Sequence, residues 1–217
     1  MKKFLRRFSL AILSLVAIIY GCQTAYYAAW EKLGKEKRHL LKDHVEDTRV
    51  EQEKASEEFK DVLTRIQTLY GFDGGKLEDF YEKLRDDYEA CEERAETVHE
   101  RVRTVEETAS DLFEEWEDEI EEITNQKFKS QSRQSLRDAK DRYARLHRAM
   151  SKSAKRMHPV LKNLRDYVLY LKHNLNAQAI GALRQEMGDI EAEVESLLQD
   201  IRNSIDAAED FLESFES

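Results

Sequence analysis

One stretch, residues 77–123, constrains the fold more than any other part of the sequence. Its apolar positions are Leu77, Tyr81, Leu84, Tyr88, Cys91, Ala95, Val98, Val102, Val105, Ala109, Leu112, Trp116, Ile120 and Ile123. Steps of four and three alternate with one lapse, which is the 3.5-residue rhythm of a helix that lays a narrow seam against other helices. No glycine or proline interrupts it. At about 1.5 Å per residue such a helix runs on the order of 70 Å. Nearly everything between the apolar positions is charged, so the helix needs partners to cover its stripe. The four-and-four spacing of Leu112, Trp116 and Ile120 is a stutter that relaxes the supercoil. Trp116 on the seam predicts tight packing there without a cavity.

The same pattern recurs three more times. Before it, Leu41, Val45, Thr48, Gln52, Ala55, Phe59, Val62, Ile66 and Leu69 make a seam with two polar positions, which either loosen packing or fix register. After it come Leu136, Ala139, Tyr143, Leu146, Met150, Ser153, Met157, Leu161, Leu164, Val168 and Leu171. The last seam is Ile180, Leu183, Met187, Ile190, Val194, Leu197, Ile201, Ile205, Ala208, Leu212 and Phe215. Gly71-Phe72-Asp73-Gly74-Gly75, residues 124–130 and residues 172–176 separate the four, the last with Asn176 as a helix N-cap. The expectation is an all-α fold, a long antiparallel four-helix coiled-coil-like bundle with helices at about 24–70, 77–124, 130–173 and 177–215. Pro159, the only proline, predicts a kink in the third helix, or failing that a break.

Folding the third helix back on the second sets Arg133, Arg137, Lys140 and Arg142 opposite the acidic run of residues 114–122. Such pairs are individually weak but select which helix lies beside which. The antiparallel order puts the chain's start, residues 124–130 and the C-terminus at one end. It gathers Phe72, Asp73, Tyr170 and Asn174 at the other, where they either close the core or offer a partner-docking tip.

Residues 1–22 read as a basic segment, an apolar run over 8–20, then Ile19-Tyr20-Gly21-Cys22. The run is shorter than the roughly 20 apolar residues of a membrane span and has the size of a signal-peptide core. The ending resembles the lipobox of bacterial lipoproteins, with a bulkier Tyr20 than is usual. That resemblance implies a signal peptide over 1–21, lipid on Cys22, and a mature periplasmic part over 22–217. Gln23 in place of the aspartate that retains lipoproteins in the inner membrane implies sorting to the outer membrane. An uncleaved signal anchor is the other reading. Tyr26, Tyr27 and Trp30 then lie close to the bilayer, either resting on its surface or closing the near end of the bundle. Lys127 and Lys129, at the same end, either meet anionic headgroups or form a solvated turn.

The Cys22-Gln23 start with Ala25-Tyr26-Tyr27-Ala28-Ala29, the Phe72-Asp73-Gly74-Gly75 turn, Glu115-Trp116-Glu117 and the run from Leu169-Tyr170-Leu171-Lys172 through His173-Asn174-Leu175-Asn176-Ala177 together resemble an uncharacterised family of Gram-negative lipoproteins, a domain of unknown function. The likeness spans the mature chain and brings no catalytic residues with it.

Chemistry is otherwise sparse. The net charge is −10, and −14 once Lys2, Lys3, Arg6 and Arg7 are removed, which argues against nucleic-acid binding. The glycine-rich turn lacks a Walker pattern, and no nucleophile elbow is present. Of two Glu-x-x-His pairs, Glu36/His39 and Glu96/His99, the second flanks its seam, and the antiparallel register sets His99 opposite about residue 47, roughly 12 Å along the axis from His39 at about 1.5 Å per residue, so no metal or other cofactor is expected. Cys91 on the seam reads as a buried inert thiol, with an interchain disulfide as the alternative. The expected role is non-enzymatic: a lipid-anchored outer-membrane lipoprotein on the periplasmic face that spaces or docks envelope proteins. A second copy of the chain is a further candidate partner. A periplasmic small-ligand or metal-binding helical module is the alternative.

Overall fold

A computed structural model describes residues 37–71 and 77–214. Helix α1 covers residues 37–68 and ends in a 3-10 turn at Leu69–Gly71. Helices α2 (Leu77–Glu122), α3 (Gln126–His173) and α4 (Ala177–Glu213) follow. There is no strand among the described residues, and no helix of theirs is long and apolar enough to cross a membrane. The expected all-α bundle is what the chain forms.

Side-chain pairs fix the arrangement. Lys37 meets Glu115 at 3.0 Å, His44 meets Thr108 at 2.9 Å and Arg65 meets Asp87 at 2.8 Å, so α1 and α2 run antiparallel. Arg133 to Glu121 at 2.8 Å and His147 to Glu106 at 3.7 Å do the same for α2 and α3. Asn163 to Glu193 at 2.7 Å and Lys152 to Asp200 at 2.7 Å set α3 against α4. Arg184 of α4 reaches the Leu69 carbonyl at 2.7 Å and closes the ring onto α1. Two of the four cations expected opposite the acidic run of α2 meet it, Arg133 on Glu121 and Lys140 on Glu117, and Lys129 joins Arg133 on Glu121, while Arg142 pairs with none of these acids. Arg137 instead bonds Gln134 on its own helix.

All nine seam positions of α1 are buried, including Thr48 and Gln52. The other seams hold with local shifts. In α2 the buried ring near the start is Phe80, with Tyr81 half-buried beside it. At the stutter Leu112 and Phe113 are both buried and Trp116 is only half-buried, because two steps of four move the stripe round the helix. In α3, Ala154 and Val160 join the core while Ala139 and Tyr143 stay at its margin. In α4 the seam runs through Ser204, Ala208 and Phe211, leaving Ile205 and Leu212 half-buried. A polar residue takes the inward place because α1 presents Gln52 to it.

Pro159 does not break α3, which is one helix across it. The residue lies on an exposed position, so its ring and the carbonyl it deprives of a hydrogen bond face water. The helix starts at Gln126 rather than near residue 130, because the Asn125 side chain caps it, accepting from the Lys127 and Phe128 amides. Asn176 caps α4 in the same way, accepting from the Ala179 amide at 3.0 Å.

Candidate functional site

Three surfaces stand out from an otherwise solvated exterior. The first is the near end, which carries the α2–α3 turn and toward which the described part of α1 begins, Lys37 pairing with Glu115. There Phe128 is 59% exposed, the most exposed large apolar side chain of the described residues, between Lys127 and Lys129. Lys129 is not free to reach outward: its Nζ donates to the Glu121 carbonyl at 3.1 Å and its carboxylate at 3.0 Å, capping the C-terminus of α2. Lys127 is exposed. Beneath them Arg38 lies over the Trp116 ring at 4.5 Å, and the indole N–H donates to the Ser132 hydroxyl at 3.2 Å. Next to Trp116, contrary to the close packing that a seam tryptophan predicts, Phe113, Ala139 and Phe211 border a cavity of about 180 Å³. Ala139 is the cause, a small residue where the stutter has already turned Trp116 aside.

Charge accumulates at this end. Glu119 has its carboxyl pushed up from the usual range by partial burial and by neighbouring Glu115. Glu121 is held down by its bonds from Arg133 and Lys129. Cys22, Gln23, Tyr26, Tyr27 and Trp30 lie outside the described residues, as does Glu36.

The second surface is the far end. Leu169, Tyr170 and Leu175 are exposed there, at 42%, 39% and 43%. Asn174 is spent on structure: it caps α3, and its side-chain amide donates to the Tyr170 carbonyl at 2.9 Å. Beside these residues a cleft of about 540 Å³ between α3 and α4 is walled by Tyr167 and Leu183 and rimmed by Asp166, Glu186, Asp189 and Glu193. The Tyr167 hydroxyl donates to the Glu186 carbonyl at 3.1 Å. Phe72 and Asp73 lie outside the described residues.

The third surface is an open groove of about 780 Å³ between α2 and α3, at mid-height. Its floor is Ala95, Ala154, Met157 and Leu161; Glu92, Glu96 and His99 form one rim, and Lys155, His158, Lys162 and Arg165 the other. The alanines open it, because on either helix a larger side chain would fill the gap. Tyr88 closes one end, its hydroxyl donating to Glu92 at 2.6 Å and pushed up to about 12 by burial first and by that carboxylate second. The seam pattern does not show this groove: Ala95 is a small seam residue of α2, but Ala154 lies one position off the α3 seam and becomes a floor residue only once the two helices are packed.

No three His, Cys, Asp or Glu side chains among the described residues come together to hold a metal ion. Cys91 is fully buried and free, and burial drives its thiol far above the ordinary range, so it holds its proton.

The profile of a family described as "Protein of unknown function (DUF2959)" matches residues 26–215. No curated protein and no solved structure matches the chain.

Proposed function

The chain belongs to the DUF2959 family of proteins of unknown function, and from that premise we propose a lipid-anchored lipoprotein of the outer membrane, facing the periplasm, whose helical rod spaces or docks envelope proteins and catalyses nothing. The observation that carries this reading is the shared end. The Cys22 segment precedes α1 in the sequence, and the described part of α1 begins with Lys37 paired to Glu115, in the half of the bundle that ends in exposed Lys127 and Phe128. A cation next to an exposed ring is suited to an anionic headgroup layer. The rod would then carry Leu169, Tyr170 and Leu175 about 70 Å outward, at about 1.5 Å per residue.

Radiolabelled palmitate and membrane fractionation test the anchor. The wild-type chain is expected to incorporate label and to fractionate with the outer membrane. Cys22→Ser is expected to lose label and become soluble, and Gln23→Asp to move to the inner membrane. A Cys22→Ser protein that stays in the membrane fraction overturns the proposal.

A second reading, a small-ligand module, is favoured by the α3–α4 cleft. Its volume of about 540 Å³ is that of a small-molecule site, and its rim of carboxylates suits a cationic ligand.

A further inference from the structure

Charge is distributed very unevenly among the helices. Helix α3 holds fourteen Lys and Arg against three Asp and Glu, a surplus of eleven positive charges. Helix α2 holds twenty acidic residues against five basic ones, and α4 ten against two. A single cationic helix thus lies between two anionic ones.

Near the α2–α3 turn these opposite charges neutralise each other within the chain, through Lys129, Arg133 and Lys140. Along the mid-height groove they do not. Glu96, Lys155, Lys162 and Arg165 form no salt bridge among the described residues, although their rims face one another. The groove holds the rims apart over an apolar floor.

We propose that this α2–α3 face is the contact between two copies of the chain, related by a two-fold axis parallel to the helices. Such an axis sets α2 of each copy against α3 of the other, so acid meets base twice. It also leaves both near ends on the same side. A two-fold across the bundle would set α2 on α2 and α3 on α3, like charge on like.

The register agrees. Glu106 beside His147 fixes which positions are level within the chain. By that register Glu92 lies level with residue 161 and Glu96 with residue 157. Because the axis preserves height, Glu92 and Glu96 meet the stretch of the second copy that holds Lys155, His158 and Lys162. Arg103, flanked by the two runs of acid on α2, is the exception to the pattern. Two helices side by side, about 20 Å across and some 40 Å along, present roughly 800 Å², the area each partner gives to a standard interface. A soluble polyanion is the competing occupant for α3, but a chain of net charge −10 with acidic helices on both sides of that ridge repels it.

The proposal goes beyond the anchor reading, and the two fail separately, since stoichiometry does not depend on Cys22. The test is sedimentation equilibrium of the full-length protein in density-matched detergent. The wild type is expected to be a dimer whose Kd rises at least about tenfold between about 0.05 and 0.5 M NaCl. Lys155→Glu with Lys162→Glu is expected to give monomers, and so is Glu92→Lys with Glu96→Lys. All four changes in one chain are expected to restore the dimer. The neutral pair Lys155→Gln with Lys162→Gln is expected to weaken it without like-charge repulsion inside the chain, and helical circular dichroism checks that each variant is folded. A wild-type monomer, a dimer unaffected by salt, a fourfold variant that stays monomeric, or polyanion binding at the groove with no dimer would each overturn the proposal.

Discussion

The side-chain amide of Gln52 on α1 donates to the Ser153 hydroxyl on α3, 2.8 Å away, across the diagonal of the bundle. The other half of the same amide accepts from Ser204 on α4 at 2.9 Å, and the Ser153 hydroxyl donates its own hydrogen bond to the Met150 carbonyl. Three helices are thereby tied at one height by fully buried polar groups. Gln52→Ala opens a cavity and strands the Ser204 hydroxyl, and should cost about 2–4 kcal/mol. The triple change Gln52→Leu, Ser153→Ala, Ser204→Ala removes donors and acceptors together. It should be close to neutral in stability, but should lose protection of the amides around this layer in hydrogen exchange, because nothing then fixes the register. Urea unfolding with exchange mass spectrometry reads both.

Gly181 and Gly188 sit inside α4 with open space where a Cβ would project. Gly181→Ala and Gly188→Ala should each stabilise the protein by about 1 kcal/mol, since alanine loses less backbone entropy in a helix. In thermal unfolding that is a rise in Tm of about 2–4 °C apiece. Unchanged or lowered Tm would mean that these positions contact something outside the described residues.

Ala139→Leu should fill the void beside Trp116, Phe113 and Phe211, which measures about 180 Å³. The expected gain is about 1 kcal/mol from newly buried methylenes. Trp116 is placed to report it through its fluorescence, with Trp30 changed to Phe so that one indole remains.

Acid should weaken the fold through Glu46 and Glu51. The Arg49 side chain holds Glu46 below the usual carboxylate range, and Lys54 with Arg94 holds Glu51 there. A lowered folded-state value stabilises above the ordinary Glu value of about 4.3, and that contribution is lost as pH falls through the folded-state values. The contribution of these two groups to Tm should therefore be constant between about pH 7 and 5 and be lost below about pH 4.5. Glu46→Gln with Glu51→Gln should flatten the acid limb.

Glu119 acts with the opposite sign. Its raised value means that the folded state holds the proton more tightly than the unfolded one, so the ionised carboxylate opposes folding at neutral pH and the opposition fades as pH falls. Glu119→Gln should raise Tm at pH 7, and by less near pH 5, in thermal scans at the two pH values.

The sequence by itself determined that there are four long helices, where they turn and which stripe each one hides. The reason is that a 3.5-residue rhythm is a local property, and so is the capping asparagine Asn176 that bounds α4, whereas the pattern puts the start of α3 at about residue 130 and Asn125 moves it to Gln126. It also set the α2–α3 register, because Glu117 and Glu121 have only a short turn to cross to reach Lys140 and Arg133. What only the tertiary structure decided are the features that need three helices at once. Ser204 rather than Ile205 faces inward because Gln52 waits there, and Asp200 is buried because Lys152 and Arg156 arrive from α3 to neutralise it. The cavity beside Trp116 and the groove over Ala95 and Ala154 arise likewise. A small residue becomes a space only when the helices facing it fail to fill it, and no single helix carries that information.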